Sequence, residues 1–260
     1  MPTIYAFANQ KGGVGKTTTA VNLAAFLADK GQRVLLVDLD PQGNATSSLG
    51  IERFTLESSI YDALLDSTPL GDIVLPTRVP NMMLAPSSAG LAGAEVELAD
   101  IDEHQFLLAR LLAGAPQEFD WIFVDCPPSL GLLTVNALAA ADAVIIPVQC
   151  EYLALEGLAQ LLQTVTLVRE RLNPRLKLFG LLLTMFDGRA NLSQQVVEQV
   201  RGNFPEEVFR TVIPRSVRIA EAPSFGEPLV TFDRRSRGGL AYEQLADEFL
   251  ERVGRGYAYS

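Results

Sequence analysis

Continuous apolar runs alternate along the chain with stretches whose apolar positions recur every third or fourth residue. The runs predict strands at 3–9, 33–38, 82–85, 120–126, 143–149, 177–185 and 208–213. Most are apolar throughout rather than at every second position, as expected of strands covered on both sheet faces. The helical stretch 153–172 places Leu155, Leu158, Leu162, Val165 and Leu172 along one stripe. A last one, 239–253, is expected to turn Leu240, Leu245, Phe249 and Val253 inward and its acids outward. This alternation predicts an α/β fold: one domain over residues 1–260, with a mostly parallel twisted sheet and helices on both faces. Residues 66–118, with prolines and short elements, are the least determined by pattern. Residues 254–260 read as a short tail.

Between the first apolar run and a helical pattern through Ala20, Leu23, Ala24 and Leu27 lies Asn9-Gln10-Lys11-Gly12-Gly13-Val14-Gly15-Lys16-Thr17-Thr18-Thr19. Strand, glycine-rich turn and helix start form the context of a phosphate-binding loop. Gly12, Gly13 and Gly15 let backbone N–H groups around Val14 and Thr18 converge on phosphate oxygens, and the helix N-terminus adds its dipole. Lys16 can reach the outer phosphates of ATP, and the Thr17 hydroxyl can ligate Mg²⁺. The P-loop pattern would place glycine at position 10, where this chain has Gln10, and a second lysine, Lys11, precedes the glycines. That arrangement resembles the deviant Walker A loop of the ParA/MinD ATPases, a group that includes the nitrogenase iron protein. The resemblance implies a P-loop NTPase fold in which Lys11 crosses a homodimer interface to the partner's ATP phosphates.

Ligands of open α/β sheets bind beyond the carboxyl ends of the strands, where acids are expected to act. Val34-Leu-Leu-Val-Asp38-Leu-Asp40-Pro41-Gln42 ends the second run with two carboxylates; Trp121-Ile-Phe-Val-Asp125-Cys-Pro-Pro128 ends another with one. An aspartate closing an apolar strand can hold a water on Mg²⁺ beside Thr17, the role expected of Asp125. Asp38 supports either the Mg²⁺ shell, through water, or the loop. The resemblance assigns Asp40 the orientation of the attacking water. Lys16, Lys11, Mg²⁺ and Asp40 then suffice for a slow ATPase, since phosphoryl transfer needs positioning and charge neutralisation more than covalent chemistry.

Asp125-Cys-Pro-Pro-Ser-Leu-Gly, Pro147-Val-Gln, Thr184-Met-Phe-Asp187 and Ile213-Pro-Arg-Ser-Val-Arg-Ile-Ala-Glu-Ala-Pro-Ser-Phe-Gly are similar to blocks of the ParA/Soj branch. The resemblance therefore runs from about residue 3 to about residue 250. It nominates Pro214 either as an adenine contact or as an ordinary strand-ending proline. It matches Arg189 and Arg218, with Arg215 beside them, to arginines that bind double-stranded DNA without sequence preference. Starting its first strand almost at Met1, the chain resembles the short chromosomal type, without an added N-terminal DNA-binding domain.

Composition refines this picture. The net charge of −10 argues against nucleic acid coating the whole surface. From 210 to 237, however, six arginines face Glu221, Glu227 and Asp233, a local net of +3 that leaves −13 elsewhere. Cys126 and Cys150 lie in apolar runs and read as reduced core residues. With no signal segment or span apparent, the expected setting is cytoplasmic and nucleoid-associated. The implied cycle is ATP-driven dimerisation, DNA binding by the dimer, and release on hydrolysis stimulated by a ParB-type centromere-binding partner. A MinD-like membrane-surface ATPase needs a basic amphipathic C-terminal helix, and the acidic 243–252 does not supply one. A cargo-positioning ATPase shares the same biochemistry, whereas a cluster-bearing electron donor would need cysteines in a different pattern.

Overall fold

The computed structural model describes residues 1–115, 118–151 and 154–255. Position 153, where the long helix was expected to start, and residues 256–260 of the expected tail lie outside the described residues. The strands are β1 (Thr3–Phe7), β2 (Val34–Asp38), β3 (Leu75–Pro76), β4 (Met82–Ala85), β5 (Trp121–Asp125), β6 (Ala143–Gln149) and β7 (Lys177–Thr184). They form one sheet in the order β3-β4-β2-β5-β1-β6-β7, parallel throughout except for β3 against β4. β3, only two residues long, falls in the stretch where the hydrophobic pattern was weakest.

Alternate residues of each strand feed two cores. Ala6, Val37 and Val124 belong to one; Tyr5, Phe7, Leu36 and Phe123 belong to the other. On the second face Tyr5 meets Phe123, Phe179 and Phe249 edge-on, at ring-centroid distances of 5.9, 4.9 and 5.0 Å. The helix Lys16–Asp29 is buried on nearly all sides, between the sheet and the helix Arg237–Gly254. Its apolar residues accordingly run all round it instead of along one stripe.

Three expectations need correction: the acids of the last helix do not all face outward, since Glu248 is buried. Leu240 does not face inward: it is 48% exposed, and the buried line runs through Tyr242, Leu245 and Phe249. At 3.6 residues per turn, five positions separate Leu240 from Leu245 by about 140° around the axis, so both cannot share a face. The run 208–213 is not a continuous strand either. Phe209 N donates to Leu181 O at 2.9 Å and Ile213 N to Leu183 O at 2.9 Å, so four residues advance beside two of β7. In between, the amides of Arg210 and Thr211 each donate to the buried Glu248 carboxylate at 2.8 Å, which removes them from the ladder. Among the described residues, no helix is long and apolar enough to cross a membrane.

Candidate active site

Parallel register brings the chemistry together. Phe7 and Asp38 both pair with Asp125, so β1, β2 and β5 end at one level. The chain leaves β1 through Ala8 and Asn9 into the glycine loop at this edge. Gly13 and Gly15 have φ of +74° and +88°, a left-handed backbone that a residue with a Cβ adopts only under strain. Gly15 thereby ends the loop and opens the helix at Lys16 with no side-chain cap, leaving helix-start amides free to bind phosphate. Side chains anchor the loop from three directions. Asn9 Nδ2 donates to Pro147 O on β6 at 2.7 Å, Lys11 N donates to Asn9 Oδ1 at 3.0 Å, and Thr184 Oγ1 donates to Val14 O at 2.8 Å from the end of β7.

Lys16 is buried, with Nζ 3.4 Å from the Lys11 carbonyl. Burial pulls its pKa down, while Asp125, Cys126 and Asp40 pull it back up. The three aspartates differ sharply in their partners. Asp38 Oδ2 accepts from both Thr46 N (2.7 Å) and Thr46 Oγ1 (2.6 Å), and Oδ1 accepts from Asp40 N at 3.3 Å. Its carboxyl is still pushed up to about 6, chiefly by burial. Of its two expected roles, these bonds favour support of the loop. Asp40 Oδ1 accepts from Gln42 N at 2.9 Å, and its carbonyl accepts from Ser87 Oγ at 2.8 Å. Its pKa is raised by burial, against Gln42, Lys16 and Arg53.

Asp125 is fully buried, and among the described residues neither carboxylate oxygen has a hydrogen-bond partner. Thr17 stands beside it and favours its charged form without making a hydrogen bond of normal geometry. Burial, with Asp38 and Asp40 nearby, raises its pKa well above the usual carboxylate range. A buried anion left in this way is strongly disfavoured unless a cation or a proton answers it. Among the described residues no three acidic, histidine or cysteine side chains are grouped to ligate a metal directly, so the Asp125 carboxylate, with the Thr17 hydroxyl at hand, suits a divalent cation that keeps much of its water.

The family model for the AAA domain matches residues 2–178. The chain is 56% identical over 248 residues to the sporulation initiation inhibitor protein Soj of Bacillus subtilis, covering 95% of this chain and 98% of that protein. It is 53% identical over 249 residues to the chromosome partitioning protein ParA of Myxococcus xanthus, covering 96% and 88%. The chain belongs to the ParA/Soj family of chromosome-partitioning ATPases. Among solved structures, cobyrinic acid a,c-diamide synthase from Mycobacterium smegmatis with bound ADP and magnesium superposes with a TM-score of 0.87 at 40% identity, covering 98% of this chain and 97% of that one.

The remaining residues expected of a ParA/Soj protein occupy mixed surroundings. The Lys11 ammonium lies 3.3 Å from Glu151 in its own chain, both side chains about half exposed. Pro214 bridges to Phe186, two residues past Thr184, and so reaches the same end of the sheet. Arg189, 93% exposed, grips Asp187 at 3.1 and 3.2 Å, and Arg215 adds its charge to the same aspartate. Arg218 is held by Asp233 (2.7 Å) and Glu221 (3.0 Å) and lies 4.6 Å from the Phe232 ring centre. Arg234 is committed to Asp29 and Glu243. Among the described residues, Arg215, Arg235 and Arg237 are exposed and enter no ion pair. Sequence reasoning assigned no part to Thr46, Glu151 or Thr184. Thr184 alone had a signal, its place at the end of an apolar run.

Proposed function

We propose that this chain is a nucleotide-switched partitioning ATPase. It binds ATP and Mg²⁺ at the glycine loop, dimerises, holds non-specific double-stranded DNA as the dimer, and leaves the nucleoid on hydrolysis. The observation that carries this reading is the unpartnered, buried Asp125 carboxylate beside Lys16, Thr17 and Asp40 at the end of β5. The loop amides of Gly12 to Thr18 and the Lys16 ammonium bind the phosphates. Thr17 directly and Asp125 through water would hold Mg²⁺, which when bound neutralises charge on the phosphate oxygens. Asp40, fixed by Gln42 and Ser87, orients the attacking water. Lys11 leaves Glu151 to reach the partner's phosphates, so assembly and nucleotide state become one event. Pro214 borders the base.

Arg189, Arg215 and Arg218 take DNA phosphates, giving affinity without sequence preference. One patch offers few contacts, and joining two on a rigid dimer raises avidity. Intrinsic hydrolysis is slow, and a ParB-type partner accelerates it. A membrane-surface role fits poorly with a C-terminal helix whose outer side carries Glu243, Asp247 and Glu251. The test is DNA binding with ATP, ADP and no nucleotide at two salt concentrations, alongside light scattering of the Asp40→Ala form. Binding that needs ATP and falls with salt supports the reading, and a form that stays monomeric at saturating ATP and Mg²⁺ refutes it.

A further inference from the structure

Arg53 lies outside the sheet, on the loop that follows the short helix Asn44–Ser48. Its guanidinium reaches back over residues 40–43. Nη2 donates to Pro41 O at 2.9 Å, and Nη1 donates to Gln42 O. A planar fork meets two successive carbonyls in a geometry that a lysine ammonium does not reproduce. Gly43 makes the room: its φ is +63°, and a Cβ there would stand 3.2–3.3 Å from the guanidinium atoms. The gripped turn is the one that sets Asp40. Gln42 N donates to Asp40 Oδ1 at 2.9 Å, and Gly43 N donates to Asp40 O at 2.8 Å. Arg53 thus takes the carbonyl of the same Gln42 whose amide holds the Asp40 carboxylate. The grip is kept although, among the described residues, Arg53 Nε is buried without a hydrogen-bond partner, which carries a cost. Leu49 and Ile51 fasten the start of this loop to the core, whereas the neighbouring Phe54 is 78% exposed, its ring centre 5.4 Å from the Arg53 guanidinium carbon.

We infer that Arg53 is a positioning residue for ATP hydrolysis, clamping the turn at Pro41 and Gln42 so that the Asp40 carboxylate keeps its aim. This rests on the reading of Asp40 as the residue that orients water. Arg53 itself touches neither Asp40 nor the glycine loop through a hydrogen bond. Loss of the clamp therefore leaves nucleotide binding in place and degrades only the chemical step.

The test measures steady-state ATP hydrolysis with Mg²⁺ and DNA, fluorescent-ATP affinity and thermal melting on the full chain, for Arg53→Ala, Arg53→Lys and Asp40→Ala. Arg53→Ala is expected to lower kcat by about tenfold to a hundredfold, the scale of a misaimed catalytic group. Its ATP affinity should stay within about twofold, and its Tm within about 2 °C. Arg53→Lys keeps the charge without the fork and should regain only a minor part of the lost rate. Full recovery in Arg53→Lys would assign the effect to charge and overturn the clamp. Normal turnover in Arg53→Ala with an inactive Asp40→Ala overturns the inference but leaves the parent reading intact. A joint fall of kcat, ATP affinity and Tm marks a structural tether and also overturns it. Normal turnover in Asp40→Ala removes the parent reading, and this inference with it.

Discussion

Asp38 and Asp125 are register partners at the ends of β2 and β5, and only Asp38 has its oxygens satisfied by the protein. Two carboxylates of the same type, side by side and fully buried, thereby acquire different work. Thr46 spends both its amide and its hydroxyl on Asp38, which ties the start of the helix Asn44–Ser48 to the sheet. Asp125 is left to answer whatever cation enters.

Stability without nucleotide and metal should carry the signature of Asp38. Its folded carboxyl is pushed up to about 6, whereas the unfolded chain releases that proton near the ordinary aspartate value. The folded state therefore binds more protons between those values, and stability from this group is lost as pH rises through about 6. Urea melts across this window should show the slope, and Asp38→Asn should reduce it, with Asp40 and Asp125, whose carboxyls are also raised in the folded state, supplying the remainder.

Lys16→Ala should abolish nucleotide binding, because it removes the buried ammonium that neutralises the outer phosphates. Fluorescent-ATP titration is the measurement. Affinity equal to wild type would take the phosphate site away from this loop.

Lys11→Ala should still bind ATP yet fail to dimerise. Lys11 lies at the exposed side of the loop, on Glu151 rather than in the buried site. Breaking that half-exposed pair costs the monomer at most about 1 kcal/mol, so its Tm should barely move. Light scattering with ATP and Mg²⁺ reads the result; a dimer of normal stability in Lys11→Ala would confine this lysine to its own chain.

Arg218→Glu should dimerise but lose DNA. Because Asp233 and Glu221 already occupy the guanidinium, phosphate must displace them, so Asp233→Asn should bind DNA more tightly at the same salt. Filter binding over a salt series tests both variants. Unchanged affinity in the pair would move the DNA contact elsewhere, with the unpaired Arg215, Arg235 and Arg237 next in line.

Glu248→Ala should destabilise the fold by about 3–5 kcal/mol, the cost of stripping a buried ion pair of one partner. Glu248 pairs with Arg252 at 3.1 Å and receives the Arg210 and Thr211 amides, with both its own side chain and that of Arg252 buried. Chemical denaturation measures it, and a midpoint equal to wild type would contradict the role given to Glu248 in turning the chain away from β7.

Sequence alone determined the alternation of strand and helix, the glycine loop before Lys16 and the acids that close β2 and β5. These depend on periodicity and turn chemistry, which act over a few residues. A steric rule for Gly13 and Gly15 or an apolar run for β5 needs no knowledge of distant chain. Only the tertiary structure decided which buried carboxylate would be satisfied, because Thr46 reaches Asp38, whereas among the described residues Asp125 accepts no hydrogen bond. It also decided that Thr184 would anchor Val14 from 170 positions away, that Glu248 would divert the amides of 210–211, and that Arg53 would clamp the turn beside Asp40. Hydrogen-bond satisfaction in a core is settled by what packing brings within about 3 Å, and separation along the chain does not encode that.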